Sequence, residues 1–74
     1  MKKKLVFTKH ALERMPKRGV SKEVVMQIIE TPNHELPIQA DNTQEFEKKI
    51  DKKEYYVVVE HKKSVLVVKT TGCN

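Results

Sequence analysis

His10, Arg14 and Arg18 fall at four-residue intervals between Thr8 and Gly19, and the two arginines are the only ones in the chain. Residues four apart stand one above another on a helix, so the spacing predicts one stripe carrying all three side chains. An imidazole that titrates near neutral pH, beside two permanently charged planar guanidiniums, is chemistry suited to phosphate. Acid–base chemistry at a phosphate ester requires a base, an acid for the leaving oxygen and cations for the charge on phosphorus. His10 fits the base or the acid; Arg14 and Arg18 fit a bidentate clamp, with Lys48 or Lys49 adding charge. The same residues also fit a structural role, with His10 bonded to a backbone carbonyl and the arginines paired with Glu13 or with sheet carboxylates.

Other groups bear on this site. Lys9 and Lys17 flank the stripe and belong with Lys48 and Lys49 as candidate nucleic-acid contacts. Tyr55 and Tyr56 point to opposite faces of a strand, so one packs in a core while the other is placed to stack on a base or supply a hydroxyl. His34 and His61 have no ligand spacing with His10, and the single cysteine, Cys73, excludes an internal disulfide or a cysteine cluster. No metal or other cofactor is expected. With only Gly19 and Gly72, no glycine-rich phosphate loop can form.

The elements that must position these residues read clearly in places. Leu5-Val6-Phe7 is a short extended entry, Thr8 is an N-cap, and a helix from about Lys9 would bury Ala11, Leu12 and Met15. Pro16 interrupts it, because proline removes the bond to the Leu12 carbonyl and disfavours helical torsions at Met15. If the helix stops there, Arg18 leaves the stripe. Gly19 reads as a left-handed turn and Ser21 as the cap of a second helix, on which Val20, Val24, Val25, Ile28 and Ile29 recur at three-to-four spacing until Thr31-Pro32-Asn33 ends it. The period then becomes two. A short edge strand within 35–40, weakened by Pro37, precedes strands over 44–50, 55–59 and 65–68, joined by turns at 41–43, 51–53 and 62–64. Phe46, Lys48 and Ile50 share one side, so Lys48 snorkels from the core face or sits in a bulge. The last two strands are apolar on both faces, the pattern of strands covered on both sides. The expected fold is α+β: two N-terminal helices packed on an antiparallel three- to four-stranded meander sheet, in a single domain over 1–74.

At 74 residues, 38% hydrophobic and 34% charged, the chain is globular with a modest core. Its net charge of +5 is unevenly spread. Residues 1–22 hold eight lysines or arginines against Glu13 alone, 23–47 hold six acids and no base, and 48–74 hold seven lysines against three acids. If the two basic segments meet in space, they form a cationic face suited to RNA, DNA or an acidic protein. Lysines serving only solubility account for the same composition. The apolar run behind the basic start is three residues long, too short for a signal peptide, and nothing approaches a membrane span. A cytoplasmic protein is expected.

The segment from Phe7 to Ser21, with Val24 and the Thr31-Pro32 stop behind it, carries His-Ala-x-x-Arg-Met-x-x-Arg-Gly-Val. It resembles the opening of a family of small bacterial domains of unknown function, family 4258, in which a His-Ala-x-x-Arg-Met-x-x-Arg-Gly-Ile/Val pattern precedes a helix and an antiparallel sheet. The specific residues cover the first third of the chain and the layout covers all of it. More distantly the layout is similar to BrnT and RelE/ParE type toxins, which implies a RelE-like toxin architecture, an RNA substrate, metal-independent endoribonuclease activity and an antitoxin partner. RelE-type toxins often carry a catalytic Tyr or His in or after the last strand. This chain ends Lys69-Thr70-Thr71-Gly72-Cys73-Asn74, so Tyr55, Tyr56 or His61 would have to substitute. The leading expectation is a toxin-like RNA-binding domain that cleaves its target through His10, Arg14 and Arg18. The alternative is a non-catalytic module that uses a basic face to bind nucleic acid or protein. A homodimer through an exposed sheet edge is a further expectation.

Overall fold

A computed structural model describes residues 4–73. The elements are β1 (Lys4–Phe7), α1 (Lys9–Lys17), α2 (Lys22–Glu30), β2 (His34–Glu35), β3 (Thr43–Ile50), β4 (Lys53–His61) and β5 (Val65–Cys73). They form one five-stranded sheet in the order β1-β5-β4-β3-β2.

The α+β class and the two helices match the sequence reading, and β2 to β5 form the expected antiparallel run. The sheet as a whole is not an antiparallel meander. β1 is a fifth strand and lies parallel to β5, with Lys4 opposite Val65 and Phe7 opposite Val68. This mixed pairing follows from the route of the chain, because the two helices carry it from one edge of the sheet to the other and β2 enters at the far side. β2 is shorter than the strand expected there. Beyond it the chain still runs beside β3 through Leu36 N–H to the Glu45 carbonyl (3.0 Å) and Gln39 N–H to the Thr43 carbonyl (2.7 Å), with Pro37 at the sheet edge.

Local chemistry sets both helices. The Thr8 hydroxyl accepts from the Ala11 N–H at 3.1 Å and itself donates to the Val68 carbonyl at 3.2 Å, so it caps α1 and ties it to β5. Ser21 caps α2 by accepting from Val24 N–H. Pro16 lies one residue before the end of α1, which stops at Lys17 with Arg18 as its C-cap, so the helix ends where proline disfavours its continuation and Arg18 leaves the His10–Arg14 stripe. Gly19 at φ 69° closes a Schellman turn, with its N–H on the Pro16 carbonyl and the Val20 N–H on the Met15 carbonyl, and buried Val20 lies against buried Met15. The β3–β4 turn places Asp51 and Lys52 both at positive φ, as a two-residue hairpin of right-handed strands requires.

Cross-strand pairing puts Phe46, Val57, Val59 and Val68 on one face, where they join Ala11, Met15, Val20, Val25 and Ile28 in the core. Leu12, expected in the buried stripe, is 43% exposed. α1 lies along β5 and meets it through Ala11 and Met15, so Leu12, a further 100° around the helix, faces outward. Only one face of the sheet is covered by the described helices. The other carries Val58 and Val67, both half-buried between neighbouring side chains, so the apolar runs of β4 and β5 reflect central position in the sheet rather than cover on both sides.

Candidate functional site

His10 and Arg14 stand one turn apart on the outer surface of α1, and both are exposed. Among the described residues neither has a hydrogen-bond or ion-pair partner, and the same holds for Lys9 and Lys17. Glu13, the one acid on this helix, pairs with none of them. Elsewhere cations do find partners. Lys62 lies 2.9 Å and Lys69 3.4 Å from the Glu60 carboxylate. The Lys62 hydrogen bond, offset in part by burial and reinforced by Lys69, holds that carboxyl below the ordinary glutamate range. The basic stripe of α1 has no such compensation.

Arg18 is turned to a different task. It is the C-cap of α1, and its Nη1 donates to the Thr71 carbonyl at 3.0 Å and to the Tyr56 hydroxyl oxygen at 3.2 Å. β1 ends opposite Val68, so residues 69–73 of β5 run on with β4 on one side and no described strand on the other. The Arg18 guanidinium caps a carbonyl of that open edge, a role a sixth strand would otherwise fill. Tyr56 reaches it by crossing Gly72, its partner in the β4–β5 register. A β-carbon at Gly72 would lie 2.7 Å from the Tyr56 oxygen and 2.8 Å from two ring carbons, so only glycine lets the ring lie on the strand. The Thr71 hydroxyl donates to the Tyr56 carbonyl at 2.7 Å and completes the junction.

The remaining candidates divide by face. Tyr55 packs against the core, whereas Tyr56 lies on the uncovered face. The Lys48 ammonium donates to the Thr31 carbonyl at the C-terminal end of α2, where a cation also complements the helix dipole. Lys48 therefore reaches from the core face to close a helix. Lys49 is exposed, and its backbone N–H is held by the Asn33 side chain at 2.7 Å. His61, at the opposite end of β4 from Tyr56, bonds the buried Gln44 amide oxygen at 2.7 Å; an amide oxygen only accepts, so Nε2 carries the proton. The Gln44 amide nitrogen donates to the Leu36 carbonyl at 2.8 Å, and this network holds the sheet edge rather than a reaction centre.

The two basic segments touch through the Arg18 bonds to Tyr56 and Thr71. Register places the Lys52–Lys53 hairpin end beside Tyr55 and Cys73, at the end of the sheet that Arg18 clasps. There an open cleft of about 760 Å³ forms on the uncovered face, lined among others by His34, Glu45, Glu47, Lys49 and Tyr56. Glu45 and Glu47 alternate with buried Phe46, which puts both carboxylates on this face. Burial, and then the adjacent Glu47 carboxylate, raise the Glu45 carboxyl above the ordinary glutamate range. Sequence reading passed over these two glutamates, although their period-two alternation with Phe46 marks the face. It also passed over Gly72, whose signal was a glycine inside an apolar strand.

Among the described residues no three His, Cys, Asp or Glu side chains are grouped to hold a metal, and no helix is long and apolar enough to cross a membrane. Comparison with curated proteins and with solved structures finds no match. A family model does match residues 7–72, nearly the whole chain, and its description is "Domain of unknown function (DUF4258)". The histidine and arginines of α1, the Gly19 turn and the sheet that receives Arg18 all fall within that span, and the chain belongs to this family of domains of unknown function.

Proposed function

We propose that this domain binds single-stranded RNA by laying the phosphate backbone along α1. The observation that carries the reading is the solvent-facing stripe of Lys9, His10, Arg14 and Lys17, which has no acidic partner among the described residues. Unneutralised cations in a row bind a polyanion by releasing its counterions. Arg18 extends the row to the sheet edge, where one Nη is committed to Tyr56 and Thr71 and the rest of the fork is left for a phosphate oxygen.

Cleavage of the bound RNA, in the manner of RelE- and BrnT-type toxins, is the stronger form of this reading, and the RelE-like architecture and an antitoxin partner belong with it. In it His10 moves the proton while Arg14 and Arg18 hold the phosphate. Binding needs only the charges; catalysis needs in addition a group that orients the imidazole, and no described residue bonds His10. The geometry therefore favours binding over cleavage.

Fluorescence anisotropy with a labelled single-stranded oligonucleotide tests the proposal. Affinity should fall by at least tenfold between about 50 and 200 mM salt if several phosphates are engaged. Arg14→Ala should weaken binding and make the salt slope shallower by roughly one contact. Affinity that ignores salt, or that Arg14→Ala leaves unchanged, would refute the assignment. Product analysis of the same samples reads cleavage separately: fragments made by the wild type and lost in His10→Ala would establish the catalytic form.

A further inference from the structure

We propose that the cleft on the uncovered face is a nucleobase pocket that selects guanine, with Tyr56 as its stacking surface and Glu47 and Glu45 as acceptors for the N–H groups of the base. This inference deepens the RNA-binding reading and rests on it.

Three observations converge. The first is the platform: the outer end of the Tyr56 ring lies over the β5 backbone at Gly72, with atoms too close for any β-carbon, and the residue lines the cleft. The hydroxyl is anchored by Arg18, so the ring is held in place before a ligand arrives. A flat aromatic surface fixed in advance is what base stacking requires. The second is room: about 760 Å³ lies within the range of small-ligand sites and admits a base with its sugar.

The third is the chemistry of the wall. Glu47 is the direct cross-strand partner of Tyr56, and Glu45 stands two residues along the same face. Among the described residues no lysine or arginine lies within ion-pair distance of either carboxylate, and the exposed His34 imidazole stands 3.9 Å from Glu47. Lys48, their neighbour in sequence, directs its ammonium to the Thr31 carbonyl instead. The pair therefore faces the cleft with acceptors unsatisfied by protein cations. Among the described residues no three His, Cys, Asp or Glu side chains are grouped to hold a metal, and two carboxylates beside an aromatic ring suit a ligand that donates N–H groups.

Guanine presents two adjacent donors, N1–H and the N2 amine, matched to the two oxygens of one carboxylate. Adenine and cytosine present a single exocyclic amine beside a lone pair that a carboxylate would repel. Uracil presents one N–H between two carbonyls. Arg18 joins the two halves of the interface, because the guanidinium that anchors Tyr56 also ends the phosphate stripe of α1. A base in the cleft and its phosphate at Arg18 would thus be one nucleotide.

Two measurements on the full chain decide this. The first is anisotropy with labelled U8 and with the same octamer carrying one central G, A or C. The G-containing octamer should bind about tenfold more tightly than U8, since a good bidentate contact discriminates by that order. The ratio should fall to about one in Glu47→Gln and narrow in Glu45→Gln. The second is an NMR titration with the four nucleoside monophosphates, which reads the pocket without the α1 stripe; GMP alone should shift the amides of residues 45–47 and 56. Salt-dependent binding of every octamer with no G preference overturns the pocket and leaves the RNA reading standing. GMP shifts without binding of any octamer uphold the pocket and overturn the RNA reading. A G preference that survives both glutamate variants overturns the assignment of the acceptors.

Discussion

Gly72→Ala is the sharpest test of the clasp between α1 and the sheet. The new methyl carbon would start 2.7 Å from the Tyr56 hydroxyl oxygen and 2.8 Å from Cε1 and Cζ. Carbon contacts are comfortable near about 3.5 Å, so the ring must retreat by roughly 0.7 Å. The Arg18–Tyr56 bond is already 3.2 Å long, and such a retreat breaks it. Losing a charge-assisted hydrogen bond at a half-buried site costs about 1.5 kcal/mol, and residual overpacking adds about 1 kcal/mol. Alanine offsets part of this, because it loses less backbone freedom than glycine in a strand, by about 0.5–1 kcal/mol. The net expectation is a loss of about 1.5–2 kcal/mol, which lowers Tm by roughly 6–16 °C in a domain of this size. The deciding assay is a double-mutant cycle followed by circular dichroism in urea and on heating. In a Tyr56→Ala background nothing stands above residue 72, so Gly72→Ala should become neutral or stabilising. An equal cost in both backgrounds, or a stabilised single mutant, would refute the claim that the glycine exists to seat the tyrosine.

Two further predictions concern the scaffold. Thr8→Ala removes the α1 cap and the hydroxyl bond to the Val68 carbonyl together, and should cost about 1–2 kcal/mol by urea denaturation while Thr8→Ser restores most of it. Glu45 supplies a pH dependence of definite sign. Its folded carboxyl is raised above the ordinary 4.5 by burial first and by Glu47 second, so the folded protein holds this proton more tightly than the unfolded chain. Its contribution to stability is complete below the unfolded value and is lost as pH rises through the raised one. Glu45→Gln should therefore raise Tm relative to wild type at neutral pH and flatten the profile across the carboxylate range. An advantage confined to about pH 3 would contradict it.

How much of the molecule was legible from sequence depended on the distance over which each feature is decided. Thr8, Ser21 and Gly19 act within a turn of their own backbone, and each cap and turn lies where local chemistry puts it. The three hairpin-connected strands β3 to β5 follow from period two and short turns, for the same reason. Pro16 is local in the same way: it has no N–H for the Leu12 carbonyl and disfavours helical torsions before it, and α1 ends at Lys17, one residue later.

The sequence by itself determined the class of fold, the family, the segregation of charge and the exposed His10–Arg14 stripe, because spacing along one helix requires no knowledge of anything else. Only the tertiary structure decided what Arg18 does. Its partners, Tyr56 and Thr71, are 38 and 53 residues away, and they come within reach because β1 stops at Phe7 and leaves the edge of β5 open. The parallel seat of β1 and the cleft beside Tyr56 have the same origin. Pairing between distant strands depends on which edge each crossing reaches, and that is set by packing of the helices on the sheet, which no local pattern of residues encodes.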